Sequence, residues 1–294
     1  MTSSLPIIDI KMNKNIFKIL FHLTKKQPWL EDKVDELQEL LFSDCNTDEE
    51  RGLILELLDR FTHVSHERFS ALINTLVEDI TTDPNLEDKT TQIVAMTGDY
   101  SSDSAQFVTY ALKAPFEKMK WREHITVTNF QRSYREFNKH GKKHTNIVLV
   151  DEFIGSGKTI VERVNTLKKL FNENGVMNIN IYVKAIAASS IGVKKAQESD
   201  INLTTYLVIE QGISEHNDEA EAAKKLALMD RLESILSTSY KSRELPCRGY
   251  GGTESLYTRD DGNTPNSVFP IFWWPFFKDN SARETLLIRA MGDA

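Results

Sequence analysis

The sequence predicts an α/β protein, in which a parallel sheet flanked by helices follows an all-α N-terminal extension and precedes a small Trp/Pro-rich C-terminal hood. Three observations predict it. Over residues 1–85, apolar residues recur at helical spacing. Over residues 86–245, short apolar runs alternate with helical stripes, the pattern of parallel strands joined by crossover helices. Over residues 246–294 the periodicity stops, and glycines and prolines surround the aromatic cluster Phe269-Pro-Ile-Phe-Trp-Trp-Pro-Phe-Phe277.

In the first part, Ile16, Phe17, Ile19, Leu20 and Leu23 fall on one helical stripe, and Trp29, Leu30, Val34, Leu37 and Leu41 on a second. Thr47-Asp-Glu-Glu50 is a capping-box pattern, with Glu50 placed to reach back to the Thr47 amide. It opens a third helix carrying Leu53, Ile54, Leu57, Leu58 and Phe61. Phe69, Leu72, Ile73, Leu76 and Val77 mark a fourth, which Thr81-Thr-Asp-Pro84 breaks. Beyond Asp88, Gln92–Met96 is a short apolar run ending in Thr97-Gly98-Asp99. Ala105–Lys113 has helical spacing, and Ile125–Phe130 alternates as a strand does. A basic, glycine-containing stretch runs from Gln131 to His144. Ile147–Val150 is a continuous apolar run, expected of a strand buried on both faces. Ile160, Val161, Val164, Leu167, Leu170 and Phe171 repeat at helical spacing up to a stop at Gly175. Ile179–Ala187 and Leu203–Ile209 are further strands, and Glu219–Ser237 is a long amphipathic helix.

Composition narrows the function classes. Of 294 residues, 40% are hydrophobic and 27% charged, so a core of ordinary size can form. A net charge of −7 argues against a general nucleic-acid sleeve, which needs clustered Lys and Arg, but leaves room for a local basic patch. Cys45 and Cys247 make neither a disulfide framework nor a metal site, and a reduced cytoplasmic compartment is expected. Met1–Lys26 lacks the apolar core of a signal peptide, and no apolar run approaches the roughly 20 residues of a membrane span.

The segment that carries chemistry is Ile147-Val-Leu-Val-Asp-Glu-Phe-Ile-Gly-Ser-Gly-Lys-Thr159. A buried strand delivers Asp151 and Glu152 at its carboxyl edge, where ligands of open α/β sheets bind. Gly155, Ser156 and Gly157 let backbone amides approach an anion. A helix beginning near Lys158 adds partial positive charge for a phosphate. Carboxylates nearby accept hydrogen bonds from ribose hydroxyls. Together these parts make a ribose-phosphate cradle. The ending Gly157-Lys158-Thr159 also matches a Walker A loop, but Glu152 stands where that motif needs its first glycine. A strand–turn–helix with no ligand is the bland alternative.

This segment resembles the PRPP-binding motif of type I phosphoribosyltransferases, in which four apolar residues precede two acids and a Thr-Thr-Gly-Gly-Thr-like loop. The match falls on Ile147–Val150, Asp151, Glu152, Gly157 and Thr159, with Ser156 replacing a loop threonine and Gly155 and Lys158 departing from the pattern. The resemblance covers roughly Thr90–Gly212. It implies that Asp151 and Glu152 bind the ribose 2′- and 3′-hydroxyls and that Gly155, Ser156, Gly157, Lys158 and Thr159 bind the 5-phosphate. It further implies a pyrophosphate loop at Thr97, Gly98, Asp99, Ser101 and Ser102, and Mg²⁺ arriving with PRPP. A flexible basic loop usually precedes the motif in the family. Arg132, Arg135, Lys139, Lys142 and Lys143 occupy that stretch, as a lid over pyrophosphate or as a solvated hairpin. The tail segments Gly249-Tyr-Gly-Gly252, Asn263-Thr-Pro-Asn266 and Pro270-Ile-Phe-Trp-Trp274 resemble a divergent phosphoribosyltransferase-like subfamily of bacterial conflict and anti-phage systems. That resemblance implies an effector role, with a protein or nucleic-acid partner of the defence system, and leaves an oligomer open.

Other features are weaker. Trp273 and Trp274 could stack on a base or serve as core anchors. Among the histidines only His63 and His66 have metal-ligand spacing, and a solvated helix face explains them; no metal site is expected. Asp260-Asp261 reads as a turn, and Ser189 as a helix cap or part of the cleft. The expected function is phosphoribosyl transfer, or a pyrophosphorylase-like reaction, on a base or nucleotide. The alternatives are a PRPP- or nucleotide-binding regulatory module without turnover and, as a minor reading, an NTPase.

Overall fold

The computed structural model describes residues 14–98, 104–241 and 243–292. The chain opens with α1 (Lys14–Lys26), a 3-10 turn over Pro28–Lys33, α2 (Val34–Glu39), a π turn over Leu40–Asp44 and α3 (Asp48–Asp59). α3 starts on the predicted capping box: the Glu50 amide donates to Thr47 Oγ1 at 3.1 Å, and the Thr47 amide to Glu50 Oε2 at 3.1 Å. Next come β1 (Thr62–Val64) and α4 (His66–Thr82), whose Ser65 cap accepts from the Arg68 amide.

Strand and helix then alternate: β2 (Thr91–Ala95), α5 (Ser104–Ala111), α6 (Lys113–Lys118), β3 (Ile125–Val127), α7 (Ser133–Lys139), β4 (Asn146–Ile154), α8 (Lys158–Glu173), β5 (Asn180–Ser189), α9 (Ser190–Glu198), β6 (Leu203–Ile209) and α10 (Glu219–Glu233). The rest carries a hairpin of β7 (Ser239–Tyr240) and β8 (Arg243–Glu244), then β9 (Tyr257–Arg259) and a 3-10 turn at Pro270–Phe272.

β2 to β6 form one five-stranded parallel sheet in the order β3-β2-β4-β5-β6. The apolar run of β4 explains its central place, since Ile147, Val148, Leu149 and Val150 are all 0% exposed. Ile147 and Leu149 pack toward α7, α8 and α9, while Val148 and Val150 pack toward α4, α5 and α6. The strand order reverses between β2 and β4. Crossovers leave this point in opposite directions, which opens a crevice beyond the carboxyl ends of the two strands. Met96, just after β2, and the loop after β4 meet here.

A third core joins distant parts of the chain. Leucines of α1, α2 and α3 and Met229 of α10 pack with Val268, Phe269 and Ile271–Trp274. Beside it, β1 pairs in parallel with β9, Thr62 opposite Tyr257. A buried ion pair reinforces the seam: Arg283 Nε and Nη2 donate to Asp44 Oδ2 at 2.8 and 2.6 Å. The same guanidinium also donates to the carbonyls of Trp274 and Ile271 at 3.1 and 2.7 Å. Among the described residues, no helix is long and apolar enough to cross a membrane.

Several segments differ from expectation: the region read as all-α contains the strand β1, which pairs with β9, and the strand read over Ile125–Phe130 ends at Val127, with Phe130 opening a 3-10 turn. The helix predicted to reach Ser237 ends at Glu233, because Leu236 turns away to bridge Phe277. The basic stretch Gln131–His144 is not an open loop but largely α7. Ser133 and Phe137 are buried there, and the Ser133 hydroxyl donates to Gln92 Oε1 of β2 at 2.9 Å.

Candidate functional site

Beyond β2 and β4 lies a cleft of about 740 Å³. One wall is Met96, Asp151, Phe153 and the loop from Ile154 to Ile160; the other is the tail, with Arg243, Pro246, Tyr250 and Asn266. The loop after β4 has the shape its small residues allow. Gly157 caps α8 at φ 74°, a left-handed conformation that costs glycine little. The first amides of α8 lack intrahelical partners and lie at the positive end of its dipole. The tail closes down on this loop. A Cβ on Gly155 would stand 2.0 Å from Ser267 Oγ, and one on Gly251 would stand 2.7 Å from Ser156 Cβ. Thr159 lines the cleft, whereas Lys158 is exposed and sets its Nζ 5.3 Å from the Tyr250 ring centroid.

The two adjacent acids part company, since neighbouring strand residues point opposite ways. Asp151 lines the cleft, and its Oδ1 accepts from Ser104 Oγ at 3.0 Å and from the Glu152 amide at 2.7 Å. The structure does not bring Glu152 into the cleft. Its carboxylate is buried against Arg259 of β9, accepting from Nε at 3.1 Å and from Nη2 at 3.0 Å. The rings of Phe69 and Phe107 contact that guanidinium, with centroids 4.7 and 4.9 Å from Cζ. Burial and the neighbouring Glu152 push the Tyr257 hydroxyl pKa up.

The other predicted residues divide in the same manner. Thr97 is buried, and its carbonyl accepts from the Phe130 amide at 3.2 Å; Gly98 is half-buried at the crevice. Asp99, Ser101 and Ser102 lie outside the described residues. Arg132 and Arg135 are exposed on the 3-10 turn and α7. Lys142 and Lys143 stand just before β4, at the amino edge of the sheet, and Lys139 ends α7. Nine strand residues, at about 3.3 Å each, put Lys142 and Lys143 on the order of 30 Å from the Gly155 loop. The structure therefore does not bring them to the cleft.

Trp273 and Trp274 border the cleft but are 1% exposed each. Their indole N–H groups donate to the Val268 carbonyl at 2.9 Å and to Ser237 Oγ at 2.8 Å, the placement of core anchors. His63 and His66 meet tail carboxylates, Asp260 at 2.7 Å and Asp261 at 3.2 Å, and so help to hold β1 against β9. Groups of three or more metal-type side chains are absent among the described residues. Ser189 caps α9 through the Gly192 amide at 2.9 Å and donates to the Gly155 carbonyl at 2.8 Å, so it braces the loop.

Sequence reasoning missed Tyr250, Arg243 and Pro246 as cleft residues. Their signal was the run Gly249-Tyr-Gly-Gly252, whose glycines all take positive φ. Behind this wall sits Glu233, 2% exposed, with Oε2 accepting from the Arg248 amide at 2.9 Å and Oε1 without a partner. Burial is the main reason its carboxyl pKa is pushed up to about 8 from 4.5. A folded value above the unfolded one means that its stabilising contribution is full below pH 4.5 and lost as the pH rises through 8. Glu233→Gln should therefore raise the melting temperature at pH 8 and leave it little changed at pH 4.5. Parallel melting curves that differ equally at both pH values would contradict this.

The profile of the family PRTase-CE matches residues 11–288. No curated protein matches the chain. Among solved structures, the chain is similar to Helicobacter pylori xanthine-guanine-hypoxanthine phosphoribosyltransferase at 12% identity and TM-score 0.29, over 50% of this chain and 84% of that one. It is similar to orotate phosphoribosyltransferase from Aeropyrum pernix at 11% identity and TM-score 0.29, over 48% and 71%. Adenine phosphoribosyltransferase from Thermoanaerobacter pseudethanolicus gives 11% and 0.29, over 48% and 80%.

Proposed function

The chain belongs to the PRTase-CE family, and on that premise we propose that its cleft binds PRPP or a nucleotide through the ribose 5-phosphate group. One observation carries the proposal. Asp151, the Gly155–Thr159 loop and the amino end of α8 meet in a single cleft at the strand switch. The loop amides hold the 5-phosphate, and Asp151 accepts from a ribose hydroxyl. Tyr250, 46% exposed on the opposite wall, offers the ring face that the two tryptophans withhold.

The reaction this arrangement suits is phosphoribosyl transfer. The ribose C1 bond to pyrophosphate breaks as a bond to the acceptor forms, and pyrophosphate leaves. The chain contributes positioning and charge stabilisation of an oxocarbenium-like ribose, and we assign no general base. Mg²⁺ binds through one or two carboxylates plus substrate phosphates. Asp151 and Glu244 are the carboxylates that line the cleft among the described residues, too few for a protein-built cage, so a magnesium ion would arrive with its ligand. A role as an effector of anti-phage defence rests on the tail segments named above. Phage challenge of bacteria carrying the wild type or Asp151→Asn tests it, with protection expected only from the wild type.

A second reading, a binding module without turnover, is favoured by the pairing of Glu152 with Arg259 and by the distance of Lys142 and Lys143. Calorimetry with PRPP, ribose 5-phosphate, AMP and ATP, followed by a pyrophosphate-release assay with bases and nucleotides, decides among these. PRPP and ribose 5-phosphate should bind. Asp151→Asn should weaken both by about 1.5–3 kcal/mol, the value of a hydrogen bond to a charged acceptor. Binding of ATP alone would overturn the proposal, and binding without pyrophosphate release would select the module.

A further inference from the structure

The tail wall of the cleft carries a cation that the fold does not engage. Three other arginines of the tail meet carboxylates: Arg248 pairs with Asp230 at 2.5 Å, Arg259 with Glu152 at 3.0 Å and Arg283 with Asp44 at 2.6 Å. Arg243 lines the cleft, is exposed, and its side chain has no ion-pair or hydrogen-bond partner among the described residues. Its place is fixed by the hairpin. It stands opposite Tyr240 of β7, whose ring stacks on Phe276 with centroids 4.9 Å apart and planes at 11°. Lys158, where the loop departs from the phosphoribosyltransferase pattern, is a second cation with no carboxylate partner among the described residues. Its Nζ lies over the Tyr250 ring, 5.3 Å from the centroid. The backbone that carries Tyr250 is held on both sides. Its amide donates to the Asn266 carbonyl at 2.8 Å, and Gly251 packs so closely on Ser156 that a Cβ would stand 2.7 Å from the Ser156 Cβ. The wall thus joins an exposed aromatic ring to two cations that no carboxylate neutralises.

We infer that this wall is a subsite for a second ligand, a nucleoside phosphate, whose base lies on Tyr250 and whose phosphate meets Arg243 and Lys158. A ring face takes a base of any identity by stacking. The guanidinium fork matches two oxygens of a phosphate, and the Lys158 ammonium adds a point charge. A free base would occupy the ring and leave both cations unmet; a nucleoside phosphate meets all three. Glu244, which also lines the cleft, is an acceptor for a base N–H group. The cleft, at about 740 Å³, has the size that takes a drug-sized ligand, so ribose 5-phosphate in the loop leaves room beside it. The inference rests on the proposed function in one respect, that the first ligand fills the loop after β4. On that function the nucleoside phosphate is the acceptor. The ribose C1 bond to pyrophosphate breaks, C1 bonds to a nucleophilic atom of the acceptor, and the proton of that atom leaves to water.

The test is calorimetric titration of the full chain, in Mg²⁺ and at saturating ribose 5-phosphate. The titrants are the four ribonucleosides, their 5′-monophosphates and the four 5′-phosphorylated homopentanucleotides. Wild type, Arg243→Gln and Tyr250→Leu are compared, with thermal midpoints confirming that each is folded. At least one monophosphate should bind the wild type tenfold or more tighter than its nucleoside. Arg243→Gln should cut that preference at least fivefold and leave the nucleoside affinity within twofold. Tyr250→Leu should weaken nucleoside and monophosphate by the same factor. A pentanucleotide that binds at most fivefold tighter than its monophosphate assigns the subsite to a free nucleotide, and one that binds more tightly assigns it to a strand end; either upholds the inference. Monophosphates that bind no better than nucleosides, equal losses for both in Arg243→Gln, or a monophosphate that displaces ribose 5-phosphate would each overturn it. Should ribose 5-phosphate itself not bind, the same titrations without it decide, and a monophosphate preference that depends on Arg243 upholds the subsite while the cradle fails. Should Tyr250→Leu fail to fold, Arg243→Gln decides alone by its selective loss.

Discussion

Glu152→Ala should lower the free energy of unfolding by about 3–5 kcal/mol, the usual cost of breaking one partner of a buried ion pair. The Glu152 and Arg259 side chains are 5% and 9% exposed, so the guanidinium left behind has little water to turn to. Its neighbours Phe69 and Phe107 supply π faces but no acceptor. Urea unfolding followed by far-ultraviolet circular dichroism measures the loss. Glu152→Met with Arg259→Met should recover most of it, because removing both charges leaves no buried ion uncompensated. Asp151→Asn, one residue away, should unfold within about 1 kcal/mol of the wild type. That contrast separates an acid proposed to serve the ligand from an acid that serves the fold. A Glu152→Ala loss below about 1 kcal/mol would mean that Arg259 is solvated despite its position.

An effect of similar size, about 3–5 kcal/mol, is expected for Arg283→Met. The substitution strands the Asp44 carboxylate and removes a donor from the carbonyls of Ile271 and Trp274. Burial already holds the Asp44 carboxyl above its ordinary value of 3.8, although Arg283 pulls it down. Its stabilising contribution is thus full below the unfolded value and lost as the pH rises through the folded one. Without Arg283 the folded value climbs further. The defect should therefore be largest near neutral pH and shrink under acid conditions, as Asp44 takes up a proton. Denaturant midpoints for both proteins at pH 4 and 7 check this, and a defect that grows toward pH 4 would contradict it.

The strand–loop–helix of the cleft was legible because its signals are local. Four apolar residues, a small-residue loop and a helical stripe lie within one stretch of chain, and the structure places each as read. The partner of Glu152 was not legible, since Arg259 is 107 residues away and the choice is made by tertiary packing. Ser133 and Phe137, one helical turn apart, were the signal of α7, but the surrounding charges made the stretch look like an open loop. The tail has no periodicity to read. Which of its aromatic residues are buried depends on hydrogen bonds to Val268 and Ser237 that no local pattern announces.

The seam between β1 and β9, and the core shared by α1–α3 with Val268–Trp274, set an order of events during synthesis. As the chain emerges, Leu30, Leu37 and Leu57 pack among the first helices, but the core they share with Val268–Trp274 stays open until that segment has been translated. The strands of the sheet pair over shorter separations than β1 and β9 do, and contacts that close long stretches of chain come late. Gly251 and Ser267, which cover the loop after β4, arrive with the same late segment. The step that completes the core is thus the step that completes the cleft, so a ligand of the proposed site would report on folding that has run to its end.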